Sequence, residues 1–148
     1  MFRVLIADDE PNMRFFLAQA LKKEGFSILE AINGEQALQL IKDKQPELAI
    51  LDIKMPHMTG LEVLETMRDW PARPITLVIS AFGDREQAWQ AIQKGAYDYF
   101  SKPIDLPEMR VVLHRAVEKL KLENRLQALE KAEIIDPFDR IVTANEEM

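Results

Sequence analysis

A doubly wound α/β domain on five parallel strands is the fold this 148-residue sequence predicts. Three observations carry that expectation. Strand-like and helix-like segments alternate five times along the chain. The strand-like runs are apolar at nearly every position instead of every second one, the pattern of strands buried on both faces. The segments between successive strands are long enough for helical crossovers, which are right-handed.

Val4-Leu5-Ile6-Ala7 is the first strand, and Asn12 to Lys23 follows as a helix with Phe16, Leu17, Ala20 and Leu21 at helical spacing. Pro11 suits its first turn, and Gly25 stands where a left-handed residue would end it. Phe26 to Ala31 is strand two, and Glu35 to Asp43 a helix bearing Ala37, Leu38 and Ile41. Leu48-Ala49-Ile50-Leu51 is strand three, bounded upstream by Pro46. Gly60 to Arg68 is a short helix through Leu61, Val63, Leu64 and Met67, halted near Trp70-Pro71. Ile75 to Ile79 is an uninterrupted β-favouring run and the candidate central strand. Asp84 to Lys94 is the fourth helix, with Gly95 at its end, and Tyr97 to Phe100 a short fifth strand. Sheets of this size usually take the flavodoxin-like order 2-1-3-4-5, an order on which periodicity is silent.

The length suits one domain and is too short for two. A formal charge of -6 disfavours a nucleic-acid backbone as the direct partner. With no cysteine, disulfides, zinc thiolates and thiol redox chemistry are excluded, which is compatible with the cytoplasm. The apolar run after Met1 stops at Asp8, so it is neither a signal peptide nor a membrane span.

Asp8 and Asp9 close the first strand, Asp52 closes the third, and Lys102 follows the fifth. The chosen sheet order puts the functional crevice at the carboxyl ends of strands one and three, where the three acids fall. One such acid alone is as readily a helix cap or a solvated loop residue. Three together repel one another unless a cation joins them, and oxygen ligands of this kind fit Mg²⁺. Glu10 is read as solvent-facing or outside the first ligand layer.

The segments Val4-Leu5-Ile6-Ala7-Asp8-Asp9-Glu10-Pro11, Leu51-Asp52-Ile53-Lys54-Met55-Pro56, Val78-Ile79-Ser80-Ala81 and Phe100-Ser101-Lys102-Pro103 resemble the receiver domain of a two-component response regulator. Ala81-Phe82-Gly83-Asp84 and Lys94-Gly95-Ala96-Tyr97-Asp98-Tyr99 are similar to receivers of the nitrogen-regulator type, found in sigma-54-dependent activators. The resemblance covers about residues 1–120. It implies that Asp52 takes a phosphoryl group from a cognate histidine kinase. Asp8, Asp9, Asp52 and the main-chain carbonyl of Lys54 would hold Mg²⁺, while Ser80 and Lys102 would contact the phosphoryl oxygens. It also implies a switch in which the Ser80 hydroxyl moves toward the phosphoryl group and Tyr99 turns inward, and a cis bond at Lys102-Pro103. Phe100 is the better core candidate of the neighbouring aromatic pair.

Other residues receive plainer readings. Pro56 and Gly60 shape the loop after Asp52, and His57 is an exposed loop residue without ligand partners at suitable spacing. His114 is a surface or interface residue, and Trp70 and Trp89 are packing residues of the core or of a helix surface. A true aspartyl phosphohydrolase would need an acid two residues after the nucleophile, where Lys54 stands. No Gly-rich phosphate loop is present, so this sequence is not expected to hydrolyse ATP.

From Leu106 to Glu133 no proline follows Pro107 and no glycine occurs, which predicts one long helix. Leu113, Val117 and Leu120 form one apolar stripe, and Leu122, Leu126 and Leu129 a second, slightly rotated. The expected organisation is a receiver over 1–120, a linker helix over 121–134 that supports a homodimer, and the start of an ATPase domain over 135–148. That last stretch, from Phe138 to Met148, resembles the opening of the sigma-54 activator ATPase, although Thr143-Ala144-Asn145 replaces its usual Gly-x-Ser element. DNA binding would belong to a further output domain. The alternative is a module of the same fold that dimerises or binds a protein without phosphorylation.

Overall fold

The computed structural model describes residues 2–135, with side chains to residue 130. Its elements in order are β1 (Arg3–Ala7), α1 (Pro11–Lys23), β2 (Ser27–Ala31), α2 (Gly34–Lys44), β3 (Leu48–Asp52), α3 (Gly60–Thr66), β4 (Ile75–Ser80), α4 (Arg85–Gln93), β5 (Asp98–Ser101) and α5 (Leu106–Ile135). The expected ATPase opening, from residue 136 on, lies outside the described residues. All strand pairs are parallel and the order is β2-β1-β3-β4-β5, as expected. The run from Ile75 is an interior strand, but the middle place belongs to β3.

Register explains why apolar runs were needed. Leu5, Ala7, Ala49, Leu51 and Val78 join Ala37, Ile41, Val63, Leu64 and Ala91 in one buried cluster against α2, α3 and α4. Their strand neighbours Val4, Ile6, Leu48, Ile50, Leu77 and Ile79 point to the opposite face and are equally buried. Leu17, Ala18 and Leu21 are the buried positions of α1.

The helix ends carry chemistry that hydrophobic spacing does not reveal. Asn33 accepts from the Gln36 amide at the start of α2, and Thr59 with Glu62 forms a reciprocal capping box on α3. Gly25 has φ 97 just past α1, the predicted left-handed stop. Most boundaries shift by one residue from the expected ones, and α3 stops at Thr66, two residues before the expected Arg68.

The chain divides within α5 into two compact units, one ending at Met109 and one beginning at Arg110. In the second unit Val112, Leu113 and Ala116 are buried, whereas Leu122, Leu126 and Leu129 are exposed. The helix runs to Ile135, two residues past its predicted end.

Gly60 is where backbone meets backbone. A Cβ there would lie 2.7 Å from the Asp52 carbonyl oxygen and 3.1 Å from the Ile53 Cα. Gly60→Ala is therefore expected to cost about 1–3 kcal/mol through overpacking that no side-chain rotation relieves. A chemical-denaturation midpoint that does not move would contradict this close approach.

Candidate functional site

Three strand ends build the site. Asp8 follows β1, its amide donating to the Ala31 carbonyl at 3.1 Å. Asp52 is the last residue of β3, in register with Ile79 of β4. Beyond Ser80 and Ser101, which pair at the ends of β4 and β5, the Lys102 amide donates to the Ser80 carbonyl at 3.0 Å. The parallel sheet thus brings Asp8, Asp52, Ser80 and Lys102 to one edge, as the sequence predicted.

Asp8, Asp9 and Asp52 each offer a carboxylate oxygen, all within 4.8 Å of one another. Asp8 and Asp52 are buried, and Asp9 is exposed. The Lys102 ammonium bonds Asp52 Oδ2 at 3.1 Å, while the Lys54 amide donates to Asp52 Oδ1 at 3.1 Å. Asp8 Oδ1 accepts from the Glu10 amide at 2.9 Å. Asp8 Oδ2 is buried with no partner.

Burial pushes the Asp8 carboxyl up to about 7, against the Glu10 amide and with the help of the Asp52 charge. Lys102 opposes the rise, and the closeness of the Asp52 carboxylate favours it. For Lys102 burial acts downward, but the Asp52 hydrogen bond and the charges of Asp52, Asp8 and Glu10 raise the ammonium overall. Two unit charges 4.8 Å apart at an effective dielectric of about 20 repel by roughly 3 kcal/mol, so two neighbouring acids resist full ionisation together.

A divalent cation fits these residues. The partnerless Asp8 Oδ2 is a buried oxygen needing a positive partner, and three carboxylate oxygens are a hard donor set suited to Mg²⁺.

The remaining predicted residues fall less directly on the acids. The buried Ser80 hydroxyl donates to the Phe100 carbonyl at 3.5 Å, tying β4 to β5. Tyr99 is 41% exposed while Phe100 is 3% exposed, so Phe100 is the core member of the pair. Lys54 is exposed, and its main-chain amide is the group that touches Asp52. Lys102-Pro103 is cis. His57 is exposed, with φ 70 in the left-handed region. Trp89 is exposed, whereas Trp70 packs on the core beneath Lys42, whose ammonium lies 5.5 Å from the ring centre. Sequence reasoning missed Arg14, which donates to the Asp8 carbonyl at 2.8 Å; an arginine in a helix's first turn, close after paired acids, was the available signal.

Comparison with known proteins agrees with this geometry. Residues 4–114 match the family model described as the response regulator receiver domain. The regulatory protein AtoC of Escherichia coli (strain K12) is 36% identical over 130 residues, covering 88% of this chain and 28% of that protein. Sporulation initiation phosphotransferase F of Bacillus subtilis (strain 168) is 33% identical over 108 residues, covering 73% of this chain and 87% of that protein. The crystal structure of NtrX from Brucella abortus superposes with a TM-score of 0.78 at 32% identity, over 86% of this chain and 29% of that one. The chain spans less than a third of the length of AtoC.

The Asp8 titration sets a measurable pH dependence. Its folded value, about 7, lies above the ordinary 3.8, so between these values the folded state holds a proton that unfolding releases. Stability of the metal-free chain should be greatest at the acid end of this window and fall as pH rises toward 7. Thermal melts between pH 5 and 8 in chelator are expected to show that slope, and Asp8→Asn to flatten it. An unchanged slope in the variant would refute the assignment.

Proposed function

This chain belongs to the response regulator receiver domain family, and from that membership we propose that Asp52 accepts a phosphoryl group from a cognate histidine kinase. The carrying observation is the Asp52 carboxylate itself. It is buried at a strand end, fixed at one oxygen by the Lys54 amide and at the other by the Lys102 ammonium, with two further acids beside it.

An ionised Asp52 oxygen attacks the phosphorus of a phosphohistidine. The P–N bond breaks as the new P–O bond forms, and the electron pair leaves on the imidazole nitrogen. Negative charge spreads over three equatorial oxygens. The Lys102 ammonium, already beside the nucleophile, meets that charge, and the Ser80 hydroxyl gives a directional bond once it leaves the Phe100 carbonyl. Asp8, Asp9, Asp52 and the Lys54 carbonyl would hold Mg²⁺, which supplies positive charge opposite the phosphoryl oxygens when bound. Catalysis is limited to this self-phosphorylation and to hydrolysis of the acyl phosphate, in which water takes the phosphoryl group and the Asp52 carboxylate is regenerated; the family matched over residues 4–114 is a receiver module.

Ser80 and Tyr99 form the switch in this reading. The Ser80 bond to Phe100 links the chemistry to β5, where Tyr99 stands exposed and would turn inward. The receiver occupies 1–120 and the helix over 121–134 is a dimerising linker, its exposed Leu122, Leu126 and Leu129 offering an apolar stripe to a second copy. Residues 135–148 begin an ATPase output domain, and DNA binding belongs to a further domain. Support for a longer protein comes from AtoC and NtrX, of each of which this chain matches less than a third. No helix among the described residues is long and apolar enough to cross a membrane.

Intact-mass measurement after incubation with Mg²⁺ and a small-molecule phosphodonor should show one added phosphoryl group on the unsubstituted chain and none on Asp52→Asn. Lys102→Ala should still bind Mg²⁺ but transfer roughly a hundred-fold more slowly, the usual loss for one charge-stabilising donor. Normal labelling of Asp52→Asn would sink the reading.

Solution mass with and without a phosphoryl mimic should differ for the full sequence and not for a chain ending at Lys121. Equal masses throughout would remove the dimer switch and favour the phosphorylation-independent binding module.

A further inference from the structure

The polar groups of Asp8 are held more completely than a metal-ligating carboxylate requires. Its amide is bonded to the Ala31 carbonyl and its Oδ1 to the Glu10 amide. Its carbonyl has left the strand ladder, which ends at Ala7, and is taken by Arg14 Nη1 at 2.8 Å. The same guanidinium reaches Glu30 Oε1 on β2 through Nε at 3.4 Å. The Arg14 side chain is 16% exposed, so its bond to the Asp8 carbonyl is largely sheltered, while the Glu30 end of the fork is open to solvent at 47%. Only Asp8 Oδ2 remains without a partner.

We propose that Arg14 is a positioning residue for the cation-binding acids, acting through the peptide plane that joins Asp8 to Asp9. That plane is rigid, so clamping the Asp8 carbonyl, with the Asp8 amide already held by Ala31, restrains the rotation between Asp8 and the plane and fixes where the Asp9 nitrogen and Cα lie. One hydrogen bond thereby steadies the Asp8 backbone and the point from which the Asp9 side chain departs. Glu30 completes the device by holding the guanidinium from the neighbouring strand, which pairs with β1 at Ile6. Arginine suits the task because its planar fork engages two acceptors in fixed geometry, which a lysine ammonium does not reproduce.

The inference rests on the reading that Asp8 and Asp9 hold Mg²⁺. It goes further by assigning the arrangement of the acids to a residue that touches neither cation nor phosphoryl group. Partners of metal ligands typically change affinity by 10–100-fold, and an effect transmitted through the backbone belongs at the lower end, about ten-fold.

The test is calorimetric titration of the full chain with Mg²⁺, accompanied by thermal melts in chelator. Arg14→Ala should bind Mg²⁺ about ten-fold more weakly. Arg14→Lys should not restore affinity although it keeps the charge, and Glu30→Gln should show a smaller loss with its metal-free melting point unchanged. Unaltered affinity in Arg14→Ala, or full restoration by Arg14→Lys, would overturn the proposal. Should Arg14→Ala fail to fold, Glu30→Gln decides, and unaltered affinity there overturns it equally. Failure of the unsubstituted chain to bind Mg²⁺ would remove the metal reading and this inference together, whereas normal binding beside unaffected variants would remove the inference alone.

Discussion

Mutual repulsion among three carboxylates in one small space is the constraint around which this domain is arranged. Asp8, Asp9 and Asp52 present oxygens within 4.8 Å of one another, and two of the three are buried. Burial, aided by the Asp52 charge, pushes the Asp8 carboxyl up to about 7 and so favours a proton there, and Asp8 is also the acid with an unpartnered buried oxygen. With a cation the proton becomes unnecessary. Metal binding and proton release are therefore two sides of one equilibrium. The Lys102 ammonium tempers the repulsion from the other flank by pairing with Asp52.

Holding repelling groups together requires a frame that does not yield. The frame is the carboxyl edge of a parallel sheet, where strand ends converge and both faces are packed. The loop after β3 closes on itself through the Gly60 amide to the Ile53 carbonyl at 2.9 Å, a contact that leaves no room for a side chain at Gly60. Gly34 plays a similar part on the neighbouring helix, since a Cβ there would lie 2.7 Å from the Met58 carbonyl oxygen. Local stability and site geometry are thus the same contacts seen from two sides.

The acids and Lys102 were legible in the sequence because each stands at the end of an apolar run, and parallel strands place such ends together. The order of strands followed from the habits of sheets this size, and the register bears it out. Much of the rest depends on side-chain direction, which spacing does not encode. The Ser80 hydroxyl bonding the Phe100 carbonyl and the outward Tyr99 are rotamer facts. Lys54 holds Asp52 through its main-chain amide, a role any residue but proline could fill. Arg14 sits in a helix whose apolar pattern explains its neighbours and leaves it unremarked. The middle position of β3 was hidden because Ile75–Ile79, its neighbour, is the more uniformly β-favouring run.

The contrast between the two flanks of Asp52 bears on where any signal can leave the site. On the β1 side, Asp8 is secured through its amide, its carbonyl and one carboxylate oxygen, all at 2.8–3.1 Å. On the β5 side, Ser80 meets the Phe100 carbonyl at 3.5 Å, far beyond the usual 2.7–2.8 Å of a hydroxyl bond. The β5 flank is otherwise firmly tied, by the Lys102 amide on the Ser80 carbonyl at 3.0 Å and the Lys102 ammonium on Asp52 at 3.1 Å, so the Ser80 hydroxyl is its loosely held group. The ends of β4 and β5, next to the exposed Tyr99, are where the proposed switch of Ser80 and Tyr99 would act. A closely held acid flank beside a loosely held hydroxyl is the arrangement that the proposed phosphoryl-operated switch calls for: the first preserves the chemistry, and the second is free to change partner.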